Sequence, residues 1–73
     1  MAVELIGRSG CGLCDEARAT LRALGVDFAE RDVDADPQLR QRFTDRVPVL
    51  LVDGRVAAEG RLHASSLLRA LAR

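Results

Sequence analysis

The alternation of apolar and polar positions divides the 73-residue chain into seven segments. Val3 to Ile6 is a short apolar run rich in β-branched residues and ended by Gly7, the pattern of a buried strand. Arg8-Ser9-Gly10 reads as a turn. From Cys11 the period changes: Cys14, Ala17, Leu21 and Leu24 recur at three- and four-residue spacing while Arg18 and Arg22 face away, which predicts an amphipathic helix. Asp15 and Glu16 fall in its first turn, where negative charge complements the helix dipole, and Gly25 supplies its stop. Val26 to Val33 is predicted as the next strand, opening with Val26 and Phe28 alternating against Asp27 and Ala29. Asp36-Pro37 is a cap followed by a first helical residue, and Leu39 and Phe43 anchor a short helix behind it. Val47 to Val52 is the most apolar run, with Pro48 near its start, where a strand tolerates proline. Asp53-Gly54 signals a type I′ hairpin turn, making Arg55 to Ala58 the antiparallel partner. Ala64, Leu67, Leu68 and Leu71 mark one face of a final helix.

The predicted order is β-α-β-α-β-β-α. A first βαβ unit builds a right-handed parallel pair and the hairpin adds antiparallel strands, so a four-stranded mixed sheet with helices on both faces is expected. A chain this short is expected to form one domain, residues 1–73, and buries only roughly 60% of its extended surface.

Composition narrows the function. Lys+Arg and Asp+Glu balance at 11 each, every basic residue is Arg, and Phe28 and Phe43 are the only aromatics. Balanced charge gives no general attraction to phosphate backbones or anionic lipid, and a stacking platform for single strands is missing. Neither a nucleic-acid nor a membrane partner is expected. Met1 to Gly7 lacks the basic leader and long apolar region of a secretory signal, and no apolar run approaches the ~20 residues that span a bilayer. A reducing cytoplasm is therefore the expected location.

The chemistry then rests on Cys11 and Cys14, the only cysteines. They lie where the first strand hands over to the first helix. A thiolate at Cys11 would meet unpaired N–H groups and the positive end of the helix dipole, an environment that lowers a cysteine pKa from ~8.5 into the range of roughly 3.5–7.5. Arg8 is expected to add positive charge. Cys14 falls on the face that Ala17 and Leu21 bury. Residues three apart on a helix have Cβ atoms ~5–6 Å apart and a disulfide needs about 3.8 Å, so a small adjustment closes the bond. Such a C-x-x-C at a βαβ junction reads as a redox pair, Cys11 attacking and Cys14 resolving.

Three other uses of the pair stay open. A structural disulfide closing so short a loop stabilises by only about 2 kcal/mol and would meet a reducing compartment. A zinc site takes four ligands, and the chain offers two thiols and His63, so a metal or iron–sulfur module would need a dimer. A thiol switch reporting redox state to a partner uses the same chemistry. His63 itself reads as an exposed residue near the start of the last helix. The run Glu30, Asp32, Asp34, Asp36 reads as a solvated strand end leading to a helix cap, and Arg40, Arg42 and Arg46 as a solvated helix face.

With these features placed, the chain resembles the glutaredoxin family of the thioredoxin fold over nearly its whole length. It is most similar to short glutaredoxin-like proteins whose first helix opens C-x-L-C-D-E-A, here Cys11 through Ala17. The resemblance implies a nucleophilic Cys11, a resolving Cys14, a basic residue at Arg8, and a cis-Pro48 whose preceding residue, Val47, pairs through its backbone with a bound thiol substrate. Gly12 and Leu13 stand where typical members carry Pro-Tyr. The segment Glu59-Gly60-Arg61-Leu62-His63-Ala64-Ser65 keeps one glycine, Gly60, and lacks the acidic pair that grips the amino group of glutathione. Arg8, Gly12, Leu13, Val47, Pro48 and Gly60 are thus the expected substrate-binding set. The expected protein is a monomeric thiol–disulfide oxidoreductase without a bound cofactor or metal, acting on protein or small disulfides, with glutathione or a dithiol reductase as electron donor.

Overall fold

A computed structural model describes residues 1–72. The elements are β1 (Val3–Gly7), α1 (Gly12–Ala23), β2 (Ala29–Asp32), a 3-10 turn (Val33–Ala35), α2 (Pro37–Phe43), β3 (Val49–Val52), β4 (Arg55–Glu59) and α3 (Ala64–Leu71). The strands form one sheet in the order β2-β1-β3-β4, with β1 parallel to β2 and antiparallel to β3, and β3 antiparallel to β4.

Alternate residues of the two central strands serve opposite faces, as the period of two requires. Val3 and Leu5 of β1 and Leu50 and Val52 of β3 pack on Ala17 and Leu21 of α1 and Leu67 of α3. Ile6, Val49 and Leu51 face the other way, onto Val33 and the Leu39 and Phe43 of α2. Helices therefore cover both faces, α1 and α3 on one and α2 on the other. At Asp53-Gly54 φ is +52° and +82°, the doubly positive geometry of a type I′ turn. Asp53 also ties down the chain start, its N–H donating to the Ala2 carbonyl and its Oδ1 accepting the Ala2 N–H, both at 2.8 Å.

Three expectations need correction. The second strand is only Ala29–Asp32, not Val26–Val33, and all four of its residues are exposed at the sheet edge. Val26 instead completes the end of α1. Its N–H donates to the Leu21 carbonyl and that of Gly25 (φ +73°) to Arg22, a Schellman cap whose apolar contact joins Val26 to the Leu21 cluster. At the other end, the Asp32 side chain accepts the Asp34 N–H and turns the chain into the 3-10 segment, so Val33 is core but not strand. Finally, the buried face of α3 runs through Leu67, Ala70 and Leu71, while Leu68 is 53% exposed. The i, i+3, i+4 set fills the stripe that the sheet covers, and Leu68 lies about 100° round the helix from it.

Candidate active site

The register gathers the site at one end of the sheet. Gly7 closes β1 opposite Asp32 of β2, and Ile6 opposes Val49, so the chain enters β3 through Val47-Pro48 beside the point where β1 exits. At the same end Glu59, opposite Val49, is the last residue of β4. Gly60 (φ +76°) follows, its N–H donating to the Pro48 carbonyl at 2.9 Å. The Val47–Pro48 peptide is cis. Neither the N–H nor the carbonyl of Val47 is hydrogen-bonded to another described residue.

Between β1 and α1 lies a four-residue turn. The Cys11 N–H donates to the Arg8 carbonyl at 3.3 Å across Ser9 and Gly10, and Gly10 takes a φ of +76°, which glycine adopts without steric cost. Cys11 is then the N-cap of α1, extended at φ −95° and ψ 112°, and its Sγ accepts the Cys14 N–H at 3.2 Å. A cysteine thus occupies the place of the usual oxygen cap, and its sulfur faces an otherwise unsatisfied backbone donor of the first turn.

The two cysteines differ in surroundings. Cys11 is half-exposed between exposed Gly12 and the turn, with Leu13 also half-exposed. Cys14 is fully buried. A Cβ built on Gly7 would meet both the Cβ and the Sγ of Cys14 at 3.3 Å, so the bare backbone at the end of β1 is what lets Cys14 sit there. The sulfurs are paired as a disulfide, with Cα atoms 5.2 Å apart, inside the ordinary range for such bonds.

Arg8 does not stand as a free positive charge next to Cys11. Its Nε and Nη2 donate to the two carboxylate oxygens of Asp34 at 2.8 and 3.2 Å. Its Nη1 and Nη2 also donate to the carbonyl and hydroxyl of Thr44 at 3.0 and 2.8 Å. The guanidinium holds the Asp34 carboxyl below the usual carboxylate range, chiefly through the hydrogen bonds. On the other flank Arg46, just before Val47, pairs with Glu59, whose carboxyl is likewise lowered. The guanidinium carbons of Arg42 and Arg46 lie 4.6 and 5.3 Å from the Phe43 ring centroid. His63 precedes α3 as an N-cap without a side-chain hydrogen bond. Among the described residues no three metal-ligating side chains come together.

Cys11, Cys14, Gly12, Leu13, Val47, Pro48 and Gly60 therefore share one end of the sheet, whereas the Arg8 side chain is turned to the 3-10 segment and the end of α2. Sequence reasoning missed Asp34 and Thr44 as its partners, which lie 26 and 36 residues away along the chain. No local pattern marks pairings at that separation. It also missed the reason for Gly7, which only the packed Cys14 explains.

A four-stranded mixed sheet between helices, with C-x-x-C capping the first helix, defines a protein of the thioredoxin-like fold. The backbone superposes with a TM-score of 0.85 on a structural-genomics target protein from X. campestris, 33% identical, covering 97% of this chain and 96% of that one. A glutaredoxin from Archaeoglobus fulgidus shares the fold at a TM-score of 0.72 and 21% identity, over 97% of this chain and 87% of its own. Among curated sequences, an uncharacterised protein of Mycobacterium tuberculosis is 42% identical over 62 residues, 73% of this chain. That match spans 64% of the mycobacterial protein's length. The glutaredoxin-like domain family (DUF836) matches residues 2–72, and the chain belongs to this family.

Proposed function

We propose that the protein is a dithiol thiol–disulfide oxidoreductase with Cys11 as nucleophile and Cys14 as resolving thiol. The observation that carries this reading is the asymmetry of the pair: a half-exposed cysteine at a helix N-cap, bonded to a fully buried one in the same turn. The Cys11 thiolate attacks one sulfur of a substrate disulfide, and the other sulfur leaves as a thiolate. The buried Cys14 thiolate then attacks Cys11 Sγ, expels the second substrate thiol and closes the Cys11–Cys14 disulfide. Two electrons pass from the protein to the substrate. Two equivalents of glutathione, or a dithiol reductase, restore the thiols. The substrate rests against Gly12, Leu13 and Gly60, with the free N–H and carbonyl of Val47 available to an extended segment of it. Protein or small-molecule disulfides in a reducing cytoplasm are the substrates this implies.

Replacing Cys14 with Ser tests the order of attack. The variant should accumulate a mixed disulfide at Cys11, detectable by intact mass, when mixed with a small disulfide. The wild type should release reduced substrate and convert to the internal disulfide. A wild type that exchanges with no disulfide, or a Cys11→Ser variant that retains turnover, would refute the reading. A half-equivalent of zinc or iron per chain in anaerobically purified protein would instead favour a dimeric metal module.

A further inference from the structure

The cluster of Arg8, Asp34 and Thr44 serves none of the steps above, yet it is built with care. A guanidinium in two-point contact with a carboxylate uses the fixed fork that lysine lacks. Its partners come from two different elements. Asp34 lies in the 3-10 segment, where its N–H donates to Asp32 Oδ1 at 2.8 Å and its carbonyl accepts from Arg40 Nη2 at 3.0 Å. Thr44 ends α2. An exposed ion pair contributes little to global stability. What this one touches is local: the same Arg8 supplies the carbonyl that holds the Cys11 N–H.

We propose that Asp34 is a positioning residue for Cys11, paired with Arg8: it fixes the Arg8–Cys11 turn and balances the Arg8 charge, so that neither member of the pair acts alone on the thiolate. This rests on the reading of Cys11 as the nucleophile. The other charges at this end of the sheet leave Asp34 in control of Arg8. Asp32 and Asp45 act on Arg8 through space only, and Arg40 faces Asp34 from α2. Asp15 is paired with Arg18 on α1, and Glu59 with Arg46 beside Val47. Arg61 and His63 lie exposed beyond β4.

The test is the pH dependence of Cys11 alkylation by iodoacetamide, in a Cys14→Ser background so that one thiol titrates. Asp34→Asn keeps the shape but leaves Arg8 uncompensated, which favours the thiolate. The midpoint should fall by about half a unit, a roughly threefold rise in thiolate fraction below it. Arg8→Met, which leaves Asp34 uncompensated, should raise it by a similar amount. The double variant should return it close to the starting value, and Asp34→Glu should preserve it. A purely structural role would move folding and leave the midpoint in place. An unchanged or raised midpoint in Asp34→Asn overturns the proposal. Should that variant fail to fold, an unchanged midpoint between Arg8→Met and the double variant overturns it equally. Alkylation needs no turnover, so failure here leaves the oxidoreductase reading standing, and absent disulfide exchange would sink that reading without altering this titration.

Discussion

Gly7→Ala is the substitution that tests the packing under the redox pair most directly. The backbone of Gly7 is ordinary strand and accepts a side chain; the obstacle is Cys14 alone. The added methyl would lie 3.3 Å from two atoms, the Cβ and Sγ of a residue with no exposure to solvent. Carbon–carbon contacts are most favourable at about 3.5–4.0 Å. Cys14, a fully buried side chain, must therefore yield by a few tenths of an ångström. Overpacking of this kind costs about 1–3 kcal/mol, and the small displacement places Gly7→Ala near 1 kcal/mol. For a domain of this size that lowers Tm by about 4–8 °C. Urea unfolding of the reduced protein measures it, with the midpoint falling and the m-value unchanged. A double-mutant cycle then assigns the cause: in a Cys14→Ala background one of the two crowded atoms is gone, and the penalty should drop by about half. An unchanged midpoint in Gly7→Ala, or a full penalty that persists in Cys14→Ala, would refute the claim that the bare glycine makes room for the Cys14 side chain.

Two further outcomes are expected. Glu59 and Asp34 have folded pKa values below their ordinary 4.5 and 3.8, each mainly through a hydrogen-bonded guanidinium. The stability they contribute is fully present above those ordinary values and is lost as pH falls through the lower folded ones. Tm should therefore decline below about pH 4.5, and Glu59→Gln should flatten that decline, as scanning calorimetry across pH 2–7 would show; an unaltered acid limb would contradict it. Gly54→Ala places a Cβ at φ +82°. It should destabilise by about 1–2 kcal/mol, with Gly54→Asn milder because Asn tolerates the left-handed region. Denaturant midpoints separate the two, and equal costs would argue against the type I′ geometry.

How far the sequence reaches is best seen residue by residue. Val49 to Val52 is legible because a strand buried on both faces must be apolar throughout, Val3 to Ile6 because only Glu4 interrupts its apolar run, and α1 because its stripe has the helical period. The Asp53-Gly54 turn and the Asp36-Pro37 cap depend on adjacent residues and were legible for that reason. Val26 misleads because an apolar residue after a C-terminal glycine closes a helix as readily as it opens a strand. The four residues of β2 carry no apolar signal at all: an exposed edge strand is held by its backbone to β1 and needs none. At the site, Cys11 and Cys14 announce their chemistry through spacing and position. The salt links that surround them do not, since Arg8 meets Asp34 and Thr44 only after the chain has crossed the sheet.

The fully covered seat of Cys14 also bears on how the protein would endure oxidants. With Cys11 as the reactive thiol proposed above, a peroxide would reach it first and leave a sulfenic acid, the rung from which further oxidation becomes irreversible. Cys14 lies one helical turn away, its Cα within 5.2 Å and its sulfur screened from the same reagent. Condensation of the two expels water and gives the disulfide, which thiols can reverse. On that reading, burying the second sulfur would keep it reduced beside the first and route the sulfenic acid into a reversible disulfide.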